Sequence, residues 1–534
     1  MSKTQVFIVA SGDLRPQANL DCWPAQAAME ADLFAAIEAL GFEPVRAHPY
    51  DPVRKHGFIA SQREGLEIFS TIPKTAPVVV AESVWQYSHH VYPGLTQHRG
   101  PILTVSNWDC TWPGLVGLLN LNACLTKIGV RYSSLWAESF EEPKFRRDLK
   151  TWLEGGQISY DLSHVTPAAE CTLPAADLAL GEKLARELSD SHPIIGIFDE
   201  GCMGMLNGII EDALLFPMGI FKERLNQSVL YYETTRVSDA EAQEVFDWMI
   251  NRGMDFQFGT DGRTELIPEQ VLGQCKMYVA AARIADDFGC SLIGIQYQQG
   301  LKDLLPASDL VEGMLNNTDR PPVKSRDGKR ILFEGKPIIH FNEVDQCAGL
   351  DALLINRVHE ALNQPVETTL HDVRWGGFDP TGTVKEYVWE FLISGAVPPA
   401  HNGGWDHSHG MRQDAMFFPF GGSTLQGTSH PGEIIWSRVY VADGCLNMDL
   451  GRGQSVALPE EETQRRLQMS TPVWPIMNAV LYGVSRDQFM AKHKSNHIQV
   501  VYANSAAEAD QAMRVKAAMA SALGIRVNYC GVKL

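Results

Sequence analysis

Over its first 150 or so residues the chain alternates short apolar runs with stretches of helical spacing. The runs are 6–10 and 77–81, and the helical stretches are 25–40 and 112–128. A run too short for a helix, then a helix-length pattern, then another run is the βαβ rhythm, which predicts a parallel sheet covered by helices. Ligands of such open sheets gather beyond the carboxyl ends of the strands. The loops 11–16 and 82–87, which carry polar and aromatic groups, are therefore expected at a site.

With 534 residues the chain exceeds one core, and a domain size of roughly 100 to 200 residues predicts about three. A Ser, Thr, Pro and Ala stretch at 162–174 leads into a helix at 175–188, and the chain then restarts with a buried strand at 194–198. Pro-Pro and Asp-Gly breakers at 320–335 mark a second boundary before a strand at 337–341. From about 365 the pattern turns β-rich, with strand alternation at 432–442, and helices return at 460–467 and 506–523. The expected layout is an N-terminal α/β domain over 1–185, a second α/β domain over 186–335 and a β-rich α+β domain over 336–534.

A formal charge of -19 repels phosphate backbones and anionic lipid, so nucleic acid and membrane are poor partners. No run of about 18 apolar residues occurs to span a bilayer. The opening MSKTQVFIVASGDLRP reads directly into a strand with no secretory signal, which predicts a cytoplasmic protein. Ten scattered cysteines without a CxxC pair are expected to be reduced thiols. The first strand is followed by ASGDLRP rather than GxGxxG, and GxxxxGK[ST] is absent, so neither a dinucleotide nor a nucleoside triphosphate is signalled. No organic cofactor is expected.

Three segments place a metal-competent side chain beside a strand-like run: PASDLVEGMLNN with Glu312, IHFNEVDQCAGL with Asp345, and KSNHIQVVYA with His497. Two carboxylates and an imidazole suit a six-coordinate manganese or magnesium ion with open positions. Ordinary readings stand beside this one. Glu312, in a helix N-capped by Ser308 or Asp309, meets the helix dipole; Asp345 caps the helix that follows it; His497 is a satisfied core histidine. The irregular spacing of the three does not decide between them. The histidine-rich loop 401–410 (HNGGWDHSHG) offers a second metal candidate, although its composition also suits an exposed loop.

Several stretches resemble the L-fucose isomerase family and, more distantly, the arabinose isomerases. They are FDEGCMGMLNGIIEDALLFPMGI (198–220), IGIQYQQGLKDLLPASDLVEGMLNN (293–317), HFNEVDQCAGLDALL (340–354), GEIIWSRVYVADGCLNMDLGRGQSVALP (432–459), STPVWP (470–475) and SNHIQVVY (495–502). The similarity is firm over about 195–534 and looser before that. It implies two αβα layered domains with mainly parallel sheets, then the β-rich α+β domain, in a homo-oligomer (trimer or hexamer) whose active sites form between subunits. It also implies that Glu312, Asp345 and His497 hold a divalent metal, Mn2+ or else Mg2+ or Co2+, and that Arg15 and Trp85 lie near a sugar.

The activity so implied is metal-dependent aldose–ketose isomerisation of an open-chain monosaccharide, L-fucose- or D-arabinose-like or a related deoxy or modified sugar. A proton moves between C1 and C2 through a cis-enediol, with Glu312 and Asp345 as the proton-transfer pair and the ion as Lewis acid. Gln296 and Asn496 are candidates to bond sugar hydroxyls, and Trp85 and Trp474 to face its C–H groups. Where similar isomerases place a tyrosine, the stretch 418–432 offers Ser423 or His430. The competing readings are a sugar-binding paralogue without turnover and a metal-dependent aldolase or other lyase, or a hydrolase.

Overall fold

The computed structural model describes residues 3–201 and 204–532. The predicted βαβ rhythm forms a parallel sheet of β1 (Gln5–Val9), β2 (Glu43–Arg46), β3 (Val78–Glu82), β4 (Ile102–Asn107) and β5 (Ser133–Ala137), in the order β2-β1-β3-β4-β5. The helix expected to begin at 25 spans Pro16–Ala39 and runs through Pro24. The apolar periodicity starts late because the first turns bury Ala18, Asn19 and Cys22 rather than a regular stripe. The helix Gly114–Lys127 is buried along nearly its whole length. A helix apolar on all sides must be packed on all sides, and this one lies between β3 and β4 and the strands of the C-terminal sheet.

The short β6 (Val165–Pro167) leaves the first layer and joins the C-terminal sheet. A second parallel sheet follows, of β7 (Ile194–Phe198), β8 (Phe221–Leu225), β10 (Leu292–Ile295) and β11 (Ile339–His340), in the order β11-β10-β7-β8. The intervening β9 (Asp255–Phe256) pairs with a two-residue strand at His409–Gly410, which is β14 in chain order. The second sheet thus borrows β11 from beyond the breaker segment at 320–335, and the third borrows β6 from before 185. Short strands at sheet edges give little periodicity by which to assign them.

The C-terminal region is a closed barrel. Its strands are β12 (Thr368–Phe378), β13 (Tyr387–Leu392), β15 (Gly432–Ala442), β16 (Cys445–Ser455), β17 (Ile476–Leu481) and β18 (His497–Ala503). The order β15-β18-β12-β13-β17-β16 closes because β15 and β16 also pair along their full lengths. At its other edge β16 forks, binding β19 (Arg526–Cys530) through 447–451 and β17 through 453–455. Glycines suit this fork: a Cβ on Gly451 would stand 2.5 Å from the Trp436 ring, and one on Gly453 2.5 Å from the Val480 carbonyl.

Alternate residues point to opposite faces of a strand. One set, including Val373, Trp389, Phe391, Trp436, Met477, Ile498 and Val500, packs together as an apolar cluster. The opposite set includes Ile435, Val439, Val501 and Ala503, which pack against the helices Gln346–Leu362 and Ala506–Ala522. Asp372 and His497 stand opposite each other in the β12–β18 register and share that second face. Charged and polar groups there sit between the barrel and the α/β layers. Among the described residues no helix is long and apolar enough to cross a membrane. The nine described cysteines are free, and Cys202 lies outside the described residues.

Candidate active site

The carboxyl ends of both parallel sheets and one face of the barrel meet around a small cavity. It is lined by Arg15 from the loop after β1, Trp85 from the loop after β3, Glu343 from the turn after β11, Asp372 on β12, Ser394 after β13, and Phe417 and Trp474. Three side chains assigned to sugar binding from sequence, Arg15, Trp85 and Trp474, are therefore brought together within one chain. The cavity is partly open and narrow, with a volume of about 30 Å³.

Arg15 is buried, and Asp13 takes two hydrogen bonds from its guanidinium. Burial works against the charge, and Asp13 more than restores it. The guanidinium lies 4.5 Å from the centre of the Phe417 ring, a cation–π contact that fixes it at the cavity wall. Trp474 donates from Nε1 to Gln413 Oε1 at 2.7 Å, whereas Trp85 Nε1 is buried without a partner. The remaining predicted sugar contacts lie behind the lining. Gln296 is fully buried and its Oε1 accepts from the Gln298 amide, while its Nε2 has no partner. Asn496 Oδ1 accepts from Asn207 at 3.3 Å.

Asp345 and His497 are in direct contact: His497 Nδ1 lies 2.7 Å from Asp345 Oδ2. The same oxygen accepts from Arg438 Nη1 at 2.6 Å, and Asp345 Oδ1 accepts the Ala348 amide at the start of the following helix. The capping role read for Asp345 is thus present. Burial opposes its charge, but Arg438 and His497 hold the carboxyl well below the usual carboxylate range. For His497, burial likewise opposes charge, while its bond to Asp345 and the Asp372 and Glu343 carboxylates near Nε2 raise it well above an ordinary histidine.

Glu312 sits in the first turn of the short helix Asp309–Leu315, where Ser308 flanks the start without a side-chain cap. Its Oε1 accepts from Ser308 Oγ at 2.6 Å, and its Oε2 is buried without a partner, 3.9 Å from His340 Nδ1. Burial first, and Asp309 second, push the Glu312 carboxyl well above its usual range, and burial raises Asp309 to about 8. Glu312 does not line the cavity. Of the donor set implied by the resemblance, Glu312 Oε2 and His497 Nε2 stand open, while both Asp345 oxygens are engaged. A cation ligated by Asp345 would have to compete with Arg438. Among the described residues no group of three or more His, Cys, Asp or Glu side chains is arranged to hold a metal ion.

Other sequence candidates go elsewhere. His401 bonds the Glu367 carbonyl and His409 pairs with Asp255, so the histidines of the 401–410 loop do not converge. Ser423 bonds the Thr424 carbonyl and His430 stacks on Tyr502, and neither lines the cavity. Glu343 and Asp372, which do line it, were missed. Glu343 lies two residues before Asp345 in the same NEVD segment, a signal that was available; Asp372 sits in an ordinary strand sequence and gave none.

Residues 409–530 match the family model described as L-fucose isomerase, C-terminal domain, a stretch that holds β15 to β18, Trp474 and His497. No curated protein matches the chain.

Proposed function

We propose that this chain, a member of the L-fucose isomerase family through its matched C-terminal domain, is an aldose–ketose isomerase acting on an open-chain monosaccharide. The observation that carries the reading is the convergence of Arg15, Trp85 and Trp474 with two buried carboxylates on one cavity. The chemistry asks for that combination. Flat aromatic faces take up C–H surface, a fixed cation holds a hydroxyl or a developing oxyanion, and a carboxylate moves the proton between C1 and C2.

Dependence on a divalent ion, Mn2+ or else Mg2+ or Co2+, enters the proposal from the family. So do a homo-oligomer, trimer or hexamer, and a cytoplasmic setting. Glu312, Asp345 and His497 are its proposed ligands, with Glu312 and Asp345 as the family's proton-transfer carboxylates. In this proposal ligation by Asp345 requires its bond with Arg438 to give way. The sugar is L-fucose- or D-arabinose-like or a related deoxy or modified sugar.

The test is to strip purified protein with EDTA and incubate it with a panel of aldoses and ketoses in heavy water, with and without manganese. Manganese-dependent ketose formation with deuterium uptake at C2 of one sugar is the expected result. Absence of exchange on every sugar in both arms overturns the isomerase reading.

A further inference from the structure

Two tryptophans line the cavity, and their indole nitrogens stand in different surroundings. Trp85 Nε1 is buried without a partner, whereas Trp474 Nε1 donates to Gln413 Oε1 at 2.7 Å. Gln413 is fully buried, and its side-chain amide is engaged at both ends. Oε1 also accepts the Asp414 backbone amide at 3.0 Å, and Nε2 donates to Asp309 Oδ2 at 2.9 Å. The orientation of that amide follows from chemistry. An indole N–H only donates, so the atom facing Trp474 must be the oxygen, and the NH2 group is then turned to a carboxyl oxygen.

Asp309 reaches the cavity wall in a second way. Ser394, another lining residue, is followed by Gly395 in the left-handed region at φ 91°, where an added Cβ would stand 2.3 Å from Asp309 Cγ. The turn that presents Ser394 therefore lies directly on the Asp309 carboxyl, and glycine is the residue that fits between them. Asp309 is itself fully buried, and its Oδ1 has no partner. One buried group thus backs two separate pieces of the wall, Trp474 through Gln413 and Ser394 through Gly395.

We propose that Gln413, seated on Asp309, is the positioning residue that fixes the plane of the Trp474 indole, and that this plane sets how tightly the site takes the C–H face of its sugar. The isomerase reading supplies the ligand of this proposal, while its geometry stands apart from that reading. A flip of the Trp474 ring carries Nε1 away from Gln413 and leaves a buried donor and a buried acceptor unpaired, which is what holds the ring. An indole face meets C–H groups that keep their bonds while C1 and C2 react. Its loss therefore falls on KM rather than on kcat.

The experiment uses the full chain labelled with 5-fluorotryptophan, in which the Trp474 fluorine resonance is the one missing from Trp474→Phe. Gln413→Met keeps the length of the side chain without its acceptor or donor. It is expected to shift or broaden the Trp474 resonance. It is also expected to raise KM for the sugar turned over roughly three- to tenfold, the span of one neutral hydrogen bond, with kcat within about twofold. Gln413→Glu keeps an acceptor for Trp474 but sets a second carboxyl against Asp309, and Asp309→Asn in the same chain gives that carboxyl a donor. The single glutamate variant is expected to follow Gln413→Met, and the double variant to bring resonance and KM back to within about twofold of the unsubstituted chain. These two variants carry the test by themselves if Gln413→Met fails to fold. An unmoved resonance in Gln413→Met, a fall in kcat at constant KM, or a folded double variant that restores neither reading overturns the assignment. Turnover absent from the unsubstituted chain, with the resonance displaced as expected, counts against the isomerase reading instead and leaves the positioning of Trp474 standing.

Discussion

At the scale of single residues, the centre is governed by buried charges that neutralise one another. Arg438 is 1 % exposed and Asp345 fully buried, so neither charge has water to fall back on. Removing one partner of such a pair costs about 3–5 kcal/mol, because the other charge stays buried and unpaired. Asp345→Asn is therefore expected to lower stability by about that amount, read as a fall in the denaturant midpoint at an unchanged m-value. A loss below about 1 kcal/mol would mean that Arg438 finds another partner. The sequence singled out Asp345 and His497, with Glu312, because each lies beside a strand-like run, and the structure puts the first two in contact. It could not say that a third residue, Arg438, 93 positions away in the pairing, would occupy Asp345. A buried arginine in the alternating pattern of β15 looks the same as a solvated one. The left-handed backbone of Glu343 and Val344, at φ 55° and 53°, is also invisible in NEVD, since nothing in those residue types favours it.

At the scale of elements, the barrel is tied to its covering helices by a second buried charge pair. Lys516 on the helix Ala506–Ala522 bonds Asp351 on the helix Gln346–Leu362, and Ser437 on β15 bonds both. Lys516 and Asp351 are buried. Asp351→Ala should then cost about 3–5 kcal/mol, whereas the double variant Asp351→Leu with Lys516→Met should recover most of it, since an apolar pair of similar volume needs no solvation. Thermal or urea unfolding of the three proteins decides this, and a double variant no more stable than the single one would show that the helices need the charge pair itself. Elements with strong periodicity were legible in advance: β7 and β15 fall on the predicted residues, and the helix Ala506–Ala522 is within one residue of its expected end. The two-residue β9 and β14 were not, because so short a strand carries no alternation and exists only by pairing with its neighbours, whereas β11 falls inside the strand read at 337–341.

At the scale of the whole molecule, burial also reaches histidines far from the cavity, and this sets a pH window for stability. His48, whose Nε2 accepts the Ala10 amide, is held down to about 3 by burial and by Arg46. His359 and His401 are lowered to about 4, again by burial first. Their unfolded counterparts take up a proton near 6.5. Between about 6.5 and about 4 these three rings bind more protons in the unfolded chain than in the folded one, so their contribution to stability rises with pH across that interval, opposed by buried carboxyls that folding raises, such as Asp309 and Glu312. Buried carboxylates with low folded values, such as Asp345, add their loss only at more acidic pH. Acidification is thus expected to lower the unfolding midpoint from just below pH 6.5, well before ordinary carboxylates titrate, and a Tm series from pH 8 to 4 reads it. His48→Gln keeps an acceptor for the Ala10 amide without a titrating ring, so it should flatten the upper part of that slope. A Tm that stays constant down to about pH 5 would mean that these rings reach water before the chain unfolds.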